Sequence, residues 1–247
     1  AQSQAPAVVK TASPVVFKFQ STWPTKDIFN EFAQDFAKKV NDMSGGELRI
    51  DVYPTNSIEK AYGFQNAVHK GQLDGGHGVP TYWHDRHAAF SLFGSGPSFG
   101  MSSNQILAWF QYGGGQQLYD ELVQKEMNLN IQGFMYGPLT PQPLGWFKNR
   151  ISNLKDLEGL RFRAVGLAAE VFRELGLNTT ALQPADIVPW LDKGLIDAAE
   201  FNNPSSDRAL GFPSVSSVCM IRSFHQSSEV FEVIFNNERV DVLSFAL

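Results

Sequence analysis

Several polar residues of this chain occur in apolar surroundings, and their side chains could bind small ions. Arg163 lies within the largely apolar segment 160–165, where a buried guanidinium group needs a partner of opposite charge. Arginine presents a planar set of N–H donors that fits a carboxylate through two parallel hydrogen bonds. The sequence therefore allows two interpretations of Arg163, an internal ion pair or the recognition of an anionic ligand.

Three further residues carry oxygen atoms that could coordinate a cation. Glu200 follows a run of small residues, Gln142 lies between two prolines, and Gln226 follows His225. Carboxylate and amide oxygens are hard ligands that suit sodium, calcium or magnesium. Each of these residues could instead be purely structural, but together with Arg163 they indicate adjoining sites for an anion and a cation.

The sequence contains no motif that supports catalysis. His84 and His87 are three residues apart, but neither a cysteine pair nor a His-Glu-x-x-His motif supplies further zinc ligands. The glycines around Ser95 and His77 lack the context of a nucleophile elbow or a dinucleotide-binding loop. For an enzyme, His225 would be the one candidate general base.

The elements that must position these residues follow a pattern that occurs twice. Residues 69–76 and residues 192–199 each contain a helix end, a Lys-Gly pair, a short apolar step to aspartate, and small residues. Glycine ends a helix because it tolerates positive φ, and small residues let another backbone approach. The repeat predicts two similar α/β lobes with a shared cleft, although such units are common in α/β proteins. The first copy leads through bare backbone to Tyr82, and the second leads to Glu200, Phe201 and Asn202.

Hydrophobic periodicity predicts alternating strands and helices, which is typical of a parallel sheet covered by helices. Strands are predicted over residues 15–19, 47–53, 131–136, 160–165, 180–182, 218–224 and 230–235, the last of them returning to the first lobe. Helices are predicted from Asp27, over 61–70, 103–112 and 117–127, and from Gly166 and Pro184.

Composition and charge restrict the classes of function. The chain has 247 residues, of which 43% are hydrophobic and 18% charged, as in an ordinary globular protein. A net charge of −5 gives no electrostatic reason to expect nucleic acid or an anionic membrane as a partner. No segment resembles a transmembrane span, and the single cysteine, Cys219, excludes an internal disulfide. The small, polar residues 1–7 suit the mature end of an exported protein or any disordered terminus.

From about Phe19 to Asn237 the sequence resembles the DctP-like solute-binding proteins of tripartite ATP-independent periplasmic (TRAP) transporters. The branch that it resembles most contains 2-oxo-acid binders and is also described as the mannitol/chloroaromatic type. The resemblance rests on segments 21–24, 71–78 with Tyr82 and Trp83, Gln142 with 145–147, 159–163, 194–200 and 210–212.

This resemblance implies a two-lobed periplasmic-binding-protein fold of the α/β class, with a mixed sheet flanked by helices in each lobe and a cleft between them. We expect a disordered tail over 1–14, lobe I over 15–138, lobe II over 139–227 and a return to lobe I over 228–247. The implied function is a periplasmic receptor, with its signal peptide removed, that delivers a small organic acid to membrane permease subunits. Such a receptor is neither an enzyme nor inserted in the membrane, binds no nucleic acid, and needs no organic cofactor.

The resemblance also implies roles for particular residues. Arg163 matches the arginine that grips the ligand carboxylate. A sodium or calcium cation that bridges ligand and protein would be held by Gln142, Glu200, the backbone carbonyl of Phe201, and Gln226. The residues implied to line the pocket, beside Arg163 and Gln142, are Trp23, Tyr82 and Asn202.

Three departures from the family pattern affect these expectations. Phe201 stands where the branch often has tryptophan, which alters the shape of the pocket. Gln226 stands where the 2-oxo-acid binder has a second glutamate, so we expect a weaker cation site and leave the metal open. The family continues for several dozen residues with a helix that braces both lobes, so we expect a fragment or a chain without that brace. The oligomeric state is therefore left open.

The alternatives to a transport receptor are a periplasmic enzyme acting on small acids and a binding protein that serves a sensor. The enzyme would use His225 as its base, whereas the sensor-coupled protein would share the receptor's binding site.

Overall fold

The fold is described for residues 13–243 of a computed structural model, so most of the predicted tail (residues 1–12) and residues 244–247 lie outside the described part. The strands are β1 (Val15–Ser21), β2 (Leu48–Tyr53), β3 (Gly75–Gly78), β4 (Ile131–Leu139), β5 (Gly145–Phe147), β6 (Arg161–Arg163), β7 (Asn178–Thr180), β8 (Ala198–Ala199), β9 (Val218–Met220) and β10 (Glu229–Asn236). The α-helices are α1 (Ile28–Met43), α2 (Phe64–His69), α3 (Ala89–Gly94), α4 (Ser103–Tyr112), α5 (Gly115–Asp120), α6 (Gly166–Glu174), α7 (Pro184–Asp192), α8 (Pro204–Leu210), α9 (Phe212–Val215) and α10 (Asn237–Val240).

The strands form two five-stranded sheets of the same design, and we call the parts of the molecule built on them lobe I and lobe II. Their strand orders are β2-β1-β3-β10-β4 and β7-β6-β8-β5-β9. In each sheet the first three strands are parallel, and the fourth runs antiparallel to both of its neighbours. The α/β class with a mixed sheet in each lobe is therefore confirmed. Strand β10 carries the chain back into the sheet of lobe I.

The repeated pattern occupies the same place in both sheets. The backbone N–H of Lys18 donates to Asp74 Oδ2 over 2.7 Å, and that of Arg161 donates to Asp197 Oδ2 over 2.9 Å. In return, the N–H of each aspartate donates to the carbonyl of the same lysine or arginine, over 3.0 and 2.8 Å respectively. Each aspartate thus fixes a central strand, β3 or β8, to the strand beside it.

The glycines of the first copy form a buried strand rather than a bare turn. A Cβ on Gly76 would lie 2.3 Å from the carbonyl oxygen of Gln20, so only glycine fits between the neighbouring strands. The strand brings His77 into the interior, where burial lowers its pKa to about 3. These residues therefore belong to the buried core of lobe I.

An aromatic core cluster joins the two lobes where their sheets face each other. It contains Trp23, Phe29 and Phe231 of lobe I together with Trp146, Phe201 and Phe212 of lobe II. The burial of each aromatic side chain here contributes roughly 1.5–3 kcal/mol to the free energy of unfolding. The contact between the lobes is therefore stabilised by apolar burial, and the candidate site lies within it.

Some boundaries differ from the sequence-based expectations. Residues 117–127 begin as α5 and continue as a π-helix over Glu121–Glu126, and the strand expected over 218–224 ends at Met220. Within residues 13–243 no helix combines the length and the apolar character that crossing a bilayer requires.

Candidate ligand-binding and cation site

A small cavity of about 10 Å³ lies between the lobes, which is space for roughly one water molecule. Lobe II contributes Arg163, Glu200, Gln142, Val165 and Phe201 to its lining, and lobe I contributes Trp23, Tyr82, Phe29, Val79, Phe231 and Glu229. Five of the lining side chains are aromatic, namely Trp23, Phe29, Tyr82, Phe201 and Phe231. The charged and amide side chains come mainly from lobe II.

Arg163 ends strand β6 and is held by three hydrogen bonds. Its Nε donates to the carbonyl of Leu182 over 3.1 Å, and its Nη1 donates to the carbonyl and to Oε1 of Glu200, each over 2.9 Å. Nη2 is buried without a hydrogen-bond partner. The guanidinium carbon lies 5.4 Å from the ring centre of Phe201. The group is thus fixed in orientation with one donor nitrogen free for a ligand.

Glu200 is the ion-pair partner of Arg163, and each side chain is only 1% exposed. Burial opposes the charge on Arg163, but the carboxylate of Glu200 and the hydroxyl groups of Tyr62 and Tyr82 together outweigh it and raise the pKa of the guanidinium. Burial raises the pKa of Glu200, while Arg163 works in the opposite direction. An arginine side chain keeps its proton in proteins, so Arg163 is cationic, and Oε2 of Glu200 is left without a hydrogen-bond partner.

A second carboxylate, that of Glu229, completes the polar side of the cavity. Nε2 of Gln142 donates to the carbonyl of Phe201 over 2.9 Å and to Glu229 Oε2 over 3.1 Å. Nε2 of Gln226 donates to the same carboxylate oxygen over 3.0 Å. Burial and then the charge of Glu200 raise the pKa of Glu229 to about 7. Amide, carbonyl and carboxylate oxygens are therefore collected at one place.

Sequence analysis missed Glu229. We expected Gln226 to leave the cation site short of a negative charge, and the structure places the carboxylate of Glu229 directly against Gln226. The signal that could have found Glu229 is a charged residue in an otherwise apolar strand. The same signal singled out Arg163. That criterion is not sufficient by itself, because Glu232 of the same strand is buried at a different place. There it accepts hydrogen bonds from Trp83 Nε1 and from the hydroxyl of Tyr119.

The donor set suits a hard cation even though few acids are present. Within residues 13–243 no group of three or more histidine, cysteine, aspartate or glutamate side chains could hold a metal. A cation here would depend on Glu200, Glu229, the carbonyl of Phe201 and an amide oxygen. Oxygen donors of this kind match calcium and sodium better than zinc or copper. The carboxamide of Gln142 can present its oxygen after a rotation of 180°, and Oε1 has no partner in the present orientation.

The remaining candidate residues lie at different distances from this centre. Trp23 and Tyr82 line the cavity, and the indole N–H of Trp23 has no hydrogen-bond partner. Asn202 is buried but lies outside the lining, and its Nδ2 donates to Ser206 Oγ over 2.9 Å. Gln226 also lies outside the lining and reaches the site only through Glu229.

His225 does not join the cavity lining. Its ring packs against Phe172, with 5.1 Å between the ring centres, and its Nδ1 forms a hydrogen bond with Ser223 Oγ. Burial lowers its pKa to about 4. His225, the base that the enzyme alternative would use, therefore does not lie next to Arg163.

Contacts across the cleft hold the lobes together. His84 Nε2 of lobe I lies 3.0 Å from Glu170 Oε1 of lobe II. Gly166, at the start of α6, comes so close to lobe I that an added Cβ would lie 2.5 Å from Ser91 Oγ and from Thr81 Cγ2. The cavity is therefore enclosed by a close fit of the two lobes.

Comparisons with known proteins agree with this architecture. The family model DctP, described as bacterial extracellular solute-binding protein, family 7, matches residues 19–243. A monocarboxylate 2-oxoacid-binding periplasmic protein of Nostoc sp. is 29% identical over 222 residues, which are 90% of this chain and 60% of the relative. The chain thus spans three-fifths of the length of this curated relative.

Two solved TRAP periplasmic solute-binding proteins have similar structures. The protein of Colwellia psychrerythraea, with bound calcium and pyruvate, has a TM-score of 0.84 and 30% identity. The protein of Pseudoalteromonas atlantica, with bound sodium and pyruvate, has a TM-score of 0.85 and 29% identity. In both comparisons, 93% of this chain aligns with 69% of the other.

Proposed function

This chain belongs to family 7 of the bacterial extracellular solute-binding proteins, and on that premise we propose that it is a periplasmic receptor for a small 2-oxo or 2-hydroxy carboxylate. It binds the acid together with a sodium or calcium cation and delivers it to the membrane permease subunits of a TRAP transporter. The observation that carries this proposal is the free Nη2 of Arg163, buried beside a cluster of oxygen donors.

The cavity favours a small monocarboxylate over larger or doubly charged acids. Among the residues that line it, Arg163 is the one cationic side chain, so a second carboxylate would have no charged partner. The aromatic rings around the site suit a short carbon chain. Pyruvate, which is present in both related structures described above, has the required single carboxylate.

The cation and Arg163 have different tasks in this proposal. Arg163 holds the carboxylate, and its orientation is fixed by Leu182 and Glu200. The bound cation would attract the 2-oxo or 2-hydroxy oxygen, held by Glu200, Glu229, Gln142 and the Phe201 carbonyl. Trp23 and Tyr82 cover the ligand from lobe I and exclude water, which strengthens both electrostatic interactions.

Ligand binding must shift the equilibrium between open and closed lobes for such a receptor to signal to its permease. The carboxylate contacts lie on lobe II and the aromatic cover lies on lobe I, so only the closed form makes both sets. A ligand with contacts to both lobes therefore favours closure by the difference in its affinity for the two states.

A thermal-shift screen tests the proposal directly. Monocarboxylates, 2-oxo acids, dicarboxylates and polyols are each added with sodium, with calcium and without added metal. We expect 2-oxo monocarboxylates to raise Tm most, and more so with a cation, since a ligand at 100 times its Kd stabilises by about 2.7 kcal/mol. If only polyols raise Tm and metals have no effect, the proposal is wrong. Recovery of a chemically altered acid after incubation would favour the enzyme alternative instead.

A further inference from the structure

Helix α6 of lobe II lies with one face against lobe I. Its first residue, Gly166, fits so closely that an added Cβ would lie 2.5 Å from Ser91 Oγ. Glu170 is four residues further along, so it lies on the same face of the helix, one turn later. There its Oε1 lies 3.0 Å from Nε2 of His84 in lobe I. The helix therefore meets lobe I first through a steric fit and then through a polar contact.

Three side chains form a continuous series of hydrogen bonds across the cleft. Nδ1 of His84 lies 2.9 Å from Ser91 Oγ, and its Nε2 lies 3.0 Å from Glu170 Oε1. A carboxylate only accepts hydrogen bonds, so Nε2 carries a hydrogen, and Nδ1 of a neutral ring then accepts from the Ser91 hydroxyl. Ser91 is fully buried, whereas the side chain of Glu170 is 52% exposed. The series is therefore anchored in the core of lobe I and ends at the surface of lobe II.

Both ends of this series belong to elements that also carry the proposed ligand contacts. His84 directly follows the turn Pro80–Trp83, which brings Tyr82 to the cavity. Helix α6 begins three residues after Arg163. Neither His84 nor Glu170 lines the cavity, so their contact does not touch the acid. Because the contact joins the two lobes, it has to break when they separate, and it therefore opposes opening independently of the ligand.

We propose that Ser91, His84 and Glu170 form an interlobe latch, which slows the reopening of the closed receptor. The inference rests on the proposed function, because release of the bound acid requires reopening. Asp85 and Arg173 are the other charged side chains that line the surface depression of about 240 Å³ beside the latch. Water and these charges screen the contact, so it can break in every cycle of binding and release. A partly exposed contact of this kind changes an equilibrium by a factor of about 1.4 to 5.

Stopped-flow fluorescence tests the latch, with pyruvate as the probe and Trp23 in the cavity lining as the reporter. In Glu170→Ala we expect the dissociation rate of pyruvate to rise about two- to fivefold. The association rate should stay within twofold of the wild-type value, because the open form lacks the contact. Glu174→Ala is the matched control, since Glu174 lies on the same helix and forms no ion pair with any residue between 13 and 243. It should release pyruvate like the wild type.

A double-mutant cycle connects the effect to the pair itself. If the two side chains act as one latch, His84→Ala combined with Glu170→Ala should release pyruvate no faster than the faster of the two single variants. An unchanged dissociation rate in Glu170→Ala, or effects that multiply in the double variant, would overturn the inference. Circular dichroism confirms folding, and Glu170→Ala decides the question by itself if variants of His84 do not fold.

Fluorescence energy transfer between the lobes separates this inference from the proposed function. Dyes are attached at Lys39→Cys in lobe I and Lys155→Cys in lobe II, both exposed positions, after Cys219→Ser removes the single natural cysteine. Without any acid, Glu170→Ala should shorten the lifetime of the closed state about two- to fivefold. If it does so but neither pyruvate nor another 2-oxo acid closes the wild-type protein, the proposed function fails and the latch stands. If pyruvate closes both proteins and leaves them at the same rate, the latch fails and the proposed function stands.

Discussion

Replacement of Arg163 by lysine should weaken binding of a 2-oxo acid by about 30- to 700-fold. Lysine keeps the positive charge opposite Glu200 but has a single nitrogen. The arginine uses Nε for Leu182 and Nη1 for Glu200, and has Nη2 left for the ligand. One ammonium group cannot reach all three positions at once, so the donors that Nη2 offers to the ligand are lost.

The magnitude follows from the hydrogen bonds that the ligand would lose. A hydrogen bond to a charged group contributes roughly 1.5–3 kcal/mol, and Nη2 of Arg163 has two N–H donors for the ligand. Because the lysine charge compensates part of the loss, we expect about 2–4 kcal/mol, where 1.4 kcal/mol is tenfold in Kd. Alanine would be a poorer probe, because it leaves Glu200 unpaired at a cost of about 3–5 kcal/mol in stability.

The assay is isothermal titration calorimetry with pyruvate in calcium-containing buffer, accompanied by Tm. Arg161→Lys is the matched control, since Arg161 lies in the same strand and pairs with Asp197 at the surface. It should bind pyruvate like the wild type. A Kd for Arg163→Lys within threefold of the wild-type value would refute the assignment of Arg163 to the ligand carboxylate.

Three other substitutions test the surroundings of the site. Burial raises the pKa of Asp27 to about 7, so the folded state binds its proton more tightly and stability falls as pH rises from about 4 to 7. Asp27→Asn keeps a good helix cap and should exceed wild-type stability at pH 8 by about 1 kcal/mol or more, measured by thermal unfolding at pH 5 and 8. The contribution of His77 to stability depends on pH in the opposite direction. Burial lowers its pKa to about 3, so stability is lost as pH falls below about 6.5. Urea unfolding at pH 4.5 and 7 should show a smaller loss on acidification for His77→Phe than for the wild type. Gly166→Ala should reduce pyruvate affinity at least tenfold, because the new Cβ meets Ser91 across the cleft. Gly159 also has a positive φ but no neighbour within 4 Å of an added Cβ, so an equal loss of affinity in Gly159→Ala would contradict a steric effect on closure.

The two lobes could be predicted from sequence because the signals that specify them are local. Asp27 caps α1 by accepting from the N–H of Phe29, and the repeated Gly-to-Asp step places β3 and β8 alike. Short strands were placed less well. The strand expected over 180–182 is Asn178–Thr180, because its position depends on pairing with β6 rather than on its own residues.

The candidate site was only partly predictable, because its contacts join distant parts of the chain. Arg163 stood out as a charge in an apolar strand. The contact between Gln142 and Glu229 spans 87 residues, and no local pattern indicates it. Asn202 was expected in the pocket, but its side chain bonds to Ser206 instead. Its neighbour Phe201 contributes a backbone carbonyl to the site.

In the proposed receptor, Arg163 and a neighbouring cation together hold the acid between the lobes. A crystal structure of the protein grown with pyruvate and calcium tests it most directly. We expect the pyruvate carboxylate on Nη2 of Arg163, with calcium bound by Glu200, Glu229 and the carbonyl of Phe201. Pyruvate bound elsewhere, or bound at Arg163 with no cation against these oxygens, would contradict it.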